Sequence, residues 1–400
     1  MKNLKLPEEV NYLISKLNEN GFEAYAVGGC VRDMILGKIP DDYDVTTNAL
    51  PEEIKSVFSD LKTIDTGIKH GTVTVIKNSF HIEVTTYRID GEYKDNRRPE
   101  SVTFSKKLAD DLSRRDFTVN ALAFNEKDGL TDCFGGLEDM KNKTIRCVGN
   151  PKKRFNEDAL RILRAIRFSS VLCYELEKDT AKAVSQYSYL LDNISKERIF
   201  IEIKKLVCGK NVKNVLIEYQ SVIKQIFPKL NSYSQNQYDL ASQMTANICG
   251  DWVLKLSALL FFLAPDDAYG MLKALKSDNA SAMRVKNILS CKNAPGICSE
   301  REALYSLNAY GEYIFDFLNL KHIYFENEED ISNQLELLKN AVKSQKPYKI
   351  SHLDIRGNDL AENGIANGAD IGKCLEKLLI AVLDGKVKNQ KNDLLEFLKN

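Results

Sequence analysis

The spacing of the apolar residues is mixed in the first third of the chain and becomes helical almost without interruption after about residue 136, and this difference limits the possible folds. In the first third, Val73 and Val75 alternate with polar residues, and so do Ile82 and Val84 after a short turn. Alternation of period two predicts a β-hairpin here. Beyond residue 136, stretches such as EDALRILRAIRFSSVL and DWVLKLSALLFFL repeat every 3.6 residues, as helices do. The sequence therefore predicts an α+β chain, with a small mixed sheet and helices followed by helices alone.

Two further elements are predicted ahead of the hairpin. The stretch PEEVNYLISKLNENG places Val10, Leu13 and Leu17 on one helical face and ends at Gly21, where a glycine is a common helix terminator. The next stretch, EAYAV, is typical of a strand and runs into two glycines.

Charge is balanced over the whole chain but not along it. The 400 residues contain 56 Lys and Arg and 56 Asp and Glu, so only a local patch could bind a polyanion. Between Lys141 and Arg167, nine basic and two acidic residues give a local charge of +7. The length exceeds what one hydrophobic core usually serves, so we expect about two to four domains.

The cysteines and histidines argue against disulfides and a zinc site. Nine cysteines are an odd number and include no C-x-x-C pair, and the four histidines lie at no metal-ligand spacing. No N-terminal stretch has the apolar run of a signal peptide, and no segment approaches about twenty consecutive apolar residues. We expect a cytoplasmic protein with reduced thiols and no membrane partner.

The stretch DDYDVTT contains a candidate metal site. In a strand, Asp42 and Asp44 leave from one face, while Tyr43 and Val45 leave from the other. Neighbouring carboxylates repel each other unless a cation lies between them, and Mg²⁺ prefers such oxygen ligands. Glu83, in the predicted hairpin, is a candidate third carboxylate. For an isolated D-x-D pattern, a solvated acidic turn is the alternative.

Two glycines precede the acidic pair. Gly28 and Gly29 follow the predicted strand, so their backbone N–H groups can approach phosphate oxygens without a Cβ in the way. Arg32 lies in the first turn of the helix expected next. A glycine pair alone indicates only a tight turn, but glycines, an arginine and an acidic pair together are typical of nucleotidyl transfer with two metals.

The stretch NEDALRILRAIRF places charged residues three apart. On a helix, Asp158, Arg161, Arg164 and Arg167 form a shallow polar stripe. One interpretation is a salt-bridged surface helix in which Asp158 pairs with Arg161. The other notes that three arginines follow Glu157 and Asp158 with no further acid, which leaves positive charge for phosphates or bases.

A combined Asp and Arg set can also select bases. Cytosine and adenine present an amino donor beside a ring-nitrogen acceptor, whereas uracil and guanine present a carbonyl beside an N–H. An aspartate that accepts from the amino group and an arginine that donates to the ring nitrogen would accept C and A. With U or G the same groups would stay unpaired.

Motifs are concentrated in residues 22–168 and 350–390. The first part contains VGGCVRD, DYDVTT, HIEVTTYRIDGEYKDNRRPE, RRDFTVNALAFN and DCFGGLEDMKNKTIRCVGNPKKRFNEDALRILRAIRF, and the second contains DIRGNDLAENGIANGADIGKCLEKLLIAVLDGKVKN. Together they closely resemble class II tRNA nucleotidyltransferases, the bacterial CCA-adding enzymes. The resemblance implies a polymerase-β-like palm followed by a helical neck, body and tail that hold the acceptor end of tRNA. The implied domains are residues 1–136, 137–200, 201–315 and 316–400.

The resemblance also implies roles for individual residues. Asp42 and Asp44 would bind Mg²⁺, beside Glu83 as a catalytic candidate. Gly29 and Arg32 would contact the triphosphate of CTP or ATP, beside Gly28, and Arg115 of RRDF would be a further nucleotide contact. Glu157, Asp158 and Arg161 would act as the protein template for the base. Arg164 and Arg167 would complete the nucleotide site.

Two other segments bear on the activity. Residues 88–98 resemble the flexible loop that the family needs to switch from C to A. The stretches NQYDLASQMTANI and SALLFFLAP resemble the helical frame of a phosphohydrolase module found in many relatives, but Phe261 and Phe262 occupy the place of its His-Asp pair. We expect this frame to be a scaffold without phosphatase or phosphodiesterase activity.

Three functions are compatible with these features. The first is template-independent addition of CCA to tRNA 3′ ends. The second is a narrower activity on the same fold, either an A-adding or CC-adding enzyme or a bacterial poly(A) polymerase. The polymerase usually has an early basic GRRF-like stretch and a basic C-terminus, which are not evident here, and the loop at 88–98 disfavours a CC-only enzyme. The third, a non-catalytic RNA-binding protein, is disfavoured by Asp42 and Asp44.

Overall fold

The computed structural model describes residues 4–65, 67–91, 93, 101–324 and 328–399. The chain divides into two compact units, residues 1–226 and 227–400. Every strand of the described residues belongs to the first unit, and the described part of the second is helical. A mixed sheet followed by a helical region confirms the predicted α+β class. The four domain boundaries stay predictions.

The strands of the first unit form one large sheet and two small pairs. They are β1 Ala24–Val27, β2 Asp44–Thr47, β3 Lys62–Ile64, β4 Thr72–Lys77, β5 Phe80–Thr86, β6 Arg88–Asp90, β7 Val102–Phe104, β8 Leu122–Asn125, β9 Gly129–Asp132, β10 Thr144–Ile145 and β11 Glu175–Leu176. The large sheet has the order β3-β4-β5-β2-β1-β8-β9. In it β2 and β5 are parallel, and the other neighbours are antiparallel. The pairs are antiparallel β6–β7 and parallel β10–β11.

The predicted hairpin is confirmed as β4 and β5. Val73, Val75, Ile82 and Val84 are buried on one face of the sheet, as the alternation predicts. Asn78 makes the turn with a φ of +54°, a conformation that asparagine tolerates better than most residues.

The α-helices of the first unit alternate with the strands along the chain and continue after the last strand. They are α1 Glu8–Glu19, α2 Gly29–Ile35, α3 Pro51–Val57, α4 Leu108–Ser113, α5 Gly136–Lys141, α6 Pro151–Glu157, α7 Leu160–Leu172, α8 Lys178–Tyr187, α9 Lys196–Val207, α10 Val212–Glu218 and α11 Gln220–Ile226. The first confirms its prediction, since Val10, Leu13 and Leu17 are buried and Gly21 follows with a φ of +85°.

The sequence predicts one helix through the charged stretch around Asp158, but the structure has two. α6 ends at Glu157, and α7 begins at Leu160. Asp158 lies between them in extended backbone, with φ of −132° and ψ of 103°. Its carboxylate accepts a hydrogen bond from the backbone N–H of Leu160 at 3.1 Å, as an aspartate at a helix start commonly does. The break therefore starts a new helix with an aspartate at its N-terminus.

Close backbone packing joins α7 to α9. The buried hydroxyl of Ser170 donates to the carbonyl oxygen of Leu206 at 2.7 Å. A Cβ on Gly209, just beyond α9, would overlap Oγ of Ser170 and would lie 2.5 Å from the carbonyl carbon of that residue. Only a glycine allows this approach, so the two helices are held at a fixed separation.

The described residues of the second unit contain ten α-helices. They are α12 Gln235–Asn247, α13 Trp252–Leu259, α14 Pro265–Ala274, α15 Asn279–Ser290, α16 Glu300–Tyr310, α17 Tyr313–Tyr324, α18 Glu328–Lys343, α19 Gly357–Glu362, α20 Asp370–Leu383 and α21 Lys391–Lys399. Phe261 and Phe262 lie in an aromatic cluster with Tyr233, Phe317 and Tyr324. Within the described residues, no helix is both long and apolar enough to cross a bilayer.

Substitution of Gly209 by alanine tests the α7–α9 contact. We expect Gly209→Ala to lower the free energy of unfolding by about 1–3 kcal/mol, because the new methyl group overpacks a site with backbone on the other side. The exposed neighbour provides the control, since Lys210→Ala should change it by less than about 0.5 kcal/mol. Urea unfolding followed by far-UV circular dichroism measures both. Equal stabilities of the two variants would contradict the close approach.

Candidate active site

The first strand ends beside two arginines. β1 ends at Val27, and Gly28 follows with φ of +85° and ψ of −134°, a conformation that favours glycine. A Cβ at Gly28 would lie 2.8 Å from Nη1 of Arg115, and one at Gly29 would lie 3.6 Å from Nη2 of Arg32. The structure thus brings together the two glycines and two of the arginines that the sequence singled out.

Two of the predicted carboxylates lie on neighbouring strands. Asp44 is the first residue of β2 and lies opposite Glu83 in the parallel pairing with β5. Asp42 precedes the strand, so the prediction that both aspartates belong to it is wrong. On one side β1 ends at Val27, opposite Asp44, and on the other side the pairing with β5 also begins at Asp44, although β5 itself extends to Phe80.

The carboxyl of Asp44 is strongly perturbed by its neighbours. Packing of protein atoms around it raises the pKa to about 6, where Arg115 acts in the opposite direction and the like charges of Glu83 and Asp42 add to the rise. Carboxylates crowded in this way fit a hard cation such as Mg²⁺. Among the described residues, no three or more His, Cys, Asp and Glu side chains form a metal-binding group. The arrangement suits a cation shared with a substrate better than one enclosed by protein.

Arg115 is held by an aspartate that the sequence analysis did not single out. Asp111, on α4, is fully buried; its Oδ2 accepts from Arg115 at 3.3 Å, and its Oδ1 accepts from Arg114 at 2.7 Å. Thr46 of β2 donates to Oδ2 at 3.1 Å. Burial alone would raise the pKa of Asp111, but the two arginines outweigh it and hold the pKa below its usual range. Asp111 therefore ties Arg115 to the strand that begins at Asp44.

A second buried aspartate joins two predicted arginines. Oδ2 of Asp116 accepts from Nε of Arg164 at 2.8 Å, and Oδ1 accepts from Asn120 at 3.0 Å. The amide oxygen of Asn120 accepts from Nη1 of Arg32 at 2.6 Å. Burial raises the pKa of Asp116, but Arg164 and the hydrogen bonds outweigh it and hold the pKa well below its usual range. One polar network thus connects α2 to α7.

Three guanidinium groups surround one aromatic ring. The guanidinium carbons of Arg167, Arg32 and Arg164 lie 4.0, 5.1 and 5.4 Å from the centroid of Phe168. Cations at such distances are attracted to the face of an aromatic ring. Phe168 itself packs edge-on against Phe117, with centroids 5.7 Å apart. The ring therefore provides a fixed spacer between the positive charges of α2 and α7.

Arg161 is buried and held by Glu157 and by backbone. Its Nη1 donates to Oε2 of Glu157 at 2.7 Å and to the carbonyl oxygen of Arg154 at 3.2 Å. Its Nη2 donates to the carbonyl oxygen of Arg114 at 2.9 Å. Arg154 also pairs with Glu157, at 2.9 Å. These contacts leave Arg161 little freedom to reorient.

Asp158 pairs with Arg198 on α9, at 3.0 Å from Nη2 to Oδ2, and not with Arg161. The interpretation in which Asp158 pairs with Arg161 is therefore wrong. An i,i+3 pair requires a continuous helix, and the helix is broken at Asp158. The two predicted template residues are thus held by different partners.

The inference of unpaired positive charge on α7 is also wrong. Arg164 pairs with Asp116, and Glu202 on α9 lies 2.8 Å from Nε of Arg167 and 4.0 Å from Arg164. Both acids are distant in sequence, so a count within the stretch could not find them. The stretch KERIFIEIKK would itself mislead, because Arg198 and Glu202 are four residues apart and this spacing predicts a pair within the helix.

A cavity of about 580 Å³ opens beside Glu157. Its lining includes charged side chains of three segments, namely Asp90, Arg114, Lys153 and Arg154. The cavity borders the segment 88–98, predicted to be a flexible loop. Its residues 88–90 form β6, and residues 92 and 94–98 lie outside the described residues.

Comparisons with protein families match three segments of the chain. The Poly A polymerase head domain matches residues 24–146, the RNA and SrmB-binding site of polymerase A matches 173–234, and tRNA nucleotidyltransferase domain 2 matches 252–398. The sheet with Asp44 and Glu83 lies inside the first match. The fold and the site therefore define a nucleotidyltransferase with a poly(A) polymerase head.

Full-length relatives narrow this class. The chain is 36% identical to the CCA-adding enzyme of Ligilactobacillus salivarius, over 97% of this chain and 95% of the relative, and 36% identical to that of Enterococcus faecalis, over 100% and 98%. The crystal structure of Bacillus stearothermophilus CCA-adding enzyme in complex with CTP has a TM-score of 0.79 at 32% identity and covers 98% of this chain and 96% of its own. The chain belongs to the family of CCA-adding enzymes.

Neutralising Asp116 tests the network between α2 and α7. We expect Asp116→Asn to lower the free energy of unfolding at pH 7 by about 2–4 kcal/mol, because it leaves Arg164 without its charged partner. The pKa of Asp116 is lower in the folded protein than in the unfolded one, so its contribution is full above the unfolded value of about 3.9 and is lost as the pH falls through the folded value. The difference from the unmodified protein should therefore shrink in acid.

The control is Asp179→Asn, which changes an exposed carboxylate in the first turn of α8 and should cost less than about 1 kcal/mol. Urea unfolding from pH 7 to pH 3, followed by circular dichroism, measures all three proteins. A difference that does not change with pH would contradict the assignment to the ionised carboxylate.

Proposed function

We propose that the chain adds C, C and A to the 3′ end of tRNA without a nucleic-acid template, from CTP and ATP, and releases diphosphate. The observation that carries this proposal is 36% identity to CCA-adding enzymes over 97–100% of the chain. A relative of 32% identity is described in complex with CTP. The clustered carboxylates beside Arg115 supply the charge pattern that nucleotidyl transfer requires.

Asp42 and Asp44 are proposed to hold Mg²⁺, and Glu83 is proposed as a catalytic carboxylate beside them. The crowding of the three negative charges supports this proposal, since a cation would relieve their repulsion. Bound Mg²⁺ would supply a Lewis acid next to the reacting phosphate oxygens. Asp44 is held for this role at the start of β2, which is paired on both sides, with β1 and with β5.

Residues around the β1–α2 junction are proposed to bind the triphosphate. Gly28 and Gly29 let the backbone come close, and Arg32 and Arg115 lie directly against them. Because Asn120 and Asp111 already hold these two arginines, they need little reordering when an anion binds. Arg164 and Arg167 are proposed to extend the same positive surface around Phe168.

Glu157, Asp158 and Arg161 are proposed to read the incoming base. The carboxylate of Asp158 accepts from the amino group of cytosine or adenine, and Arg161 donates to the ring nitrogen. Glu157 holds Arg161 in place at 2.7 Å. Uracil and guanine are rejected because their carbonyl would face the carboxylate and their N–H would face the guanidinium.

The remaining parts of the chain are proposed to bind tRNA. The domain boundaries at 136, 200 and 315 stay part of this proposal, as does a cytoplasmic location. The segment from Lys141 to Arg167, with its charge of +7, is proposed to contact the RNA backbone at exposed positions such as Lys152 and Lys153.

A single assay tests the function. The protein is incubated with tRNA that ends at the discriminator base, at C, or at CC, each with one nucleotide triphosphate at a time, and products are read at nucleotide resolution. We expect C on the first two substrates and A on the third. Addition of A to the third substrate without addition of C to the first two would indicate an A-adding enzyme. Addition of C to the first two without addition of A to the third would indicate a CC-adding enzyme, and long A tails would indicate a poly(A) polymerase. No incorporation would contradict every enzymatic reading.

The proposed metal ligands are tested by an isosteric change. We expect Asp44→Asn to slow the incorporation of C and of A alike by at least about a hundredfold, because one metal site serves every addition. Its matched control is Asp41→Asn, which removes an exposed carboxylate three residues away and should leave the rate near normal. Both variants should bind tRNA as the unmodified protein does, measured by filter binding. Loss of only one nucleotide would move Asp44 from metal binding to base selection.

A further inference from the structure

We propose that Arg198, on α9, is a positioning residue that determines base selection by fixing the carboxylate of Asp158. This inference rests on the proposed function, because it takes Asp158 to be part of the base-reading set. It adds a residue outside that set, on an element that contributes none of the predicted site residues.

The contact between the two residues is specific. Nη2 of Arg198 lies 3.0 Å from Oδ2 of Asp158, and the side chains are 25% and 19% exposed. Oδ1 of Asp158 is engaged by the backbone N–H of Leu160 at 3.1 Å. Each carboxylate oxygen thus has one partner, and together the two partners fix the plane of the group. The lone pairs of Asp158 that remain free therefore have a fixed orientation toward an incoming base.

Arg198 is itself fixed by its helix. Arg198, Glu202 and Leu206 follow one another at intervals of four on α9, so they share a face. All three contact α7 or the segment that leads into it: Arg198 pairs with Asp158, Glu202 pairs with Arg167, and the carbonyl oxygen of Leu206 accepts from Ser170. The close approach at Gly209 holds the end of the same face. The guanidinium that faces Asp158 therefore projects from a packed helix and not from a mobile loop.

The consequence for selection follows from the chemistry of the base edges. A carboxylate held in place attracts the amino group of C or A and repels the carbonyl of U or G. If the carboxylate can swing away, the attraction is lost and the repulsion is lost with it. Removal of Arg198 should therefore weaken the preferred nucleotides and admit the wrong ones, which is a change of selectivity and not a uniform loss of rate.

The test compares variants of the full chain on tRNA lacking CCA. With Arg198→Met, which keeps the length but not the charge, we expect the ratio of kcat/KM for CTP over UTP to fall by about tenfold to a hundredfold, with a raised KM for CTP. Arg198→Lys should restore part of the ratio, since it returns one charged donor. Lys205→Met, an exposed lysine of the same helix, should leave the ratio unchanged. The KM for tRNA should not change in any variant.

Two outcomes would overturn the proposal. One is a lower kcat with every nucleotide at an unchanged CTP over UTP ratio, together with a lower melting temperature, since a purely structural role predicts this. The other is a change of ratio that Lys205→Met reproduces. If Arg198→Met does not fold, Arg198→Gln takes its place with the same two readings. The unmodified protein in the same assay tests the proposed function separately, because failure to incorporate C there would precede any effect of Arg198.

Discussion

Ion pairs between α7 and acids from other elements are the interaction on which the site depends. Arg164 and Arg167 would be costly to bury alone, and Asp116 and Glu202 compensate them from two different sides. The same acids determine where the guanidinium groups point. The ordering of these long side chains therefore occurs on folding, and a phosphate or base that binds later does not have to bear that entropy. The ion pairs that neutralise the arginines of α7 therefore also preorganise them for binding.

Much of the fold and part of the site could be predicted because they depend on residues close together in sequence. Helix α1 and the β4–β5 hairpin follow from the spacing of apolar residues, and both were predicted correctly. In both elements a short stretch carries the whole signal, and distant contacts only reinforce it. The approach of Gly28 to Arg115 is different, because it joins residues far apart in sequence, and only the resemblance of the motifs placed both in one site.

The incorrect predictions concern contacts between distant parts of the chain. Asp42 lies outside β2 because the pairings with β1 and with β5 both begin at Asp44, and neither partner strand is adjacent to β2 in sequence. Asp158 turned out to pair with Arg198 because the helix breaks where an aspartate can start a new one. The buried aspartate Asp111 gave no sign in the sequence, since nothing in an acidic helix start indicates burial. Such partners become visible only when elements are assembled.

The division into two compact units has a consequence for how this protein can be observed. Its single tryptophan, Trp252, begins α13 in the second unit, and the first unit contains none. Tryptophan emission during denaturation therefore reports on residues 227–400, whereas far-UV circular dichroism reports on the helices of both units. Coincident transitions from the two probes would indicate that the units unfold as one, and separated transitions would give each unit its own stability. Trp252 thus allows the unfolding of the second unit to be followed separately by fluorescence.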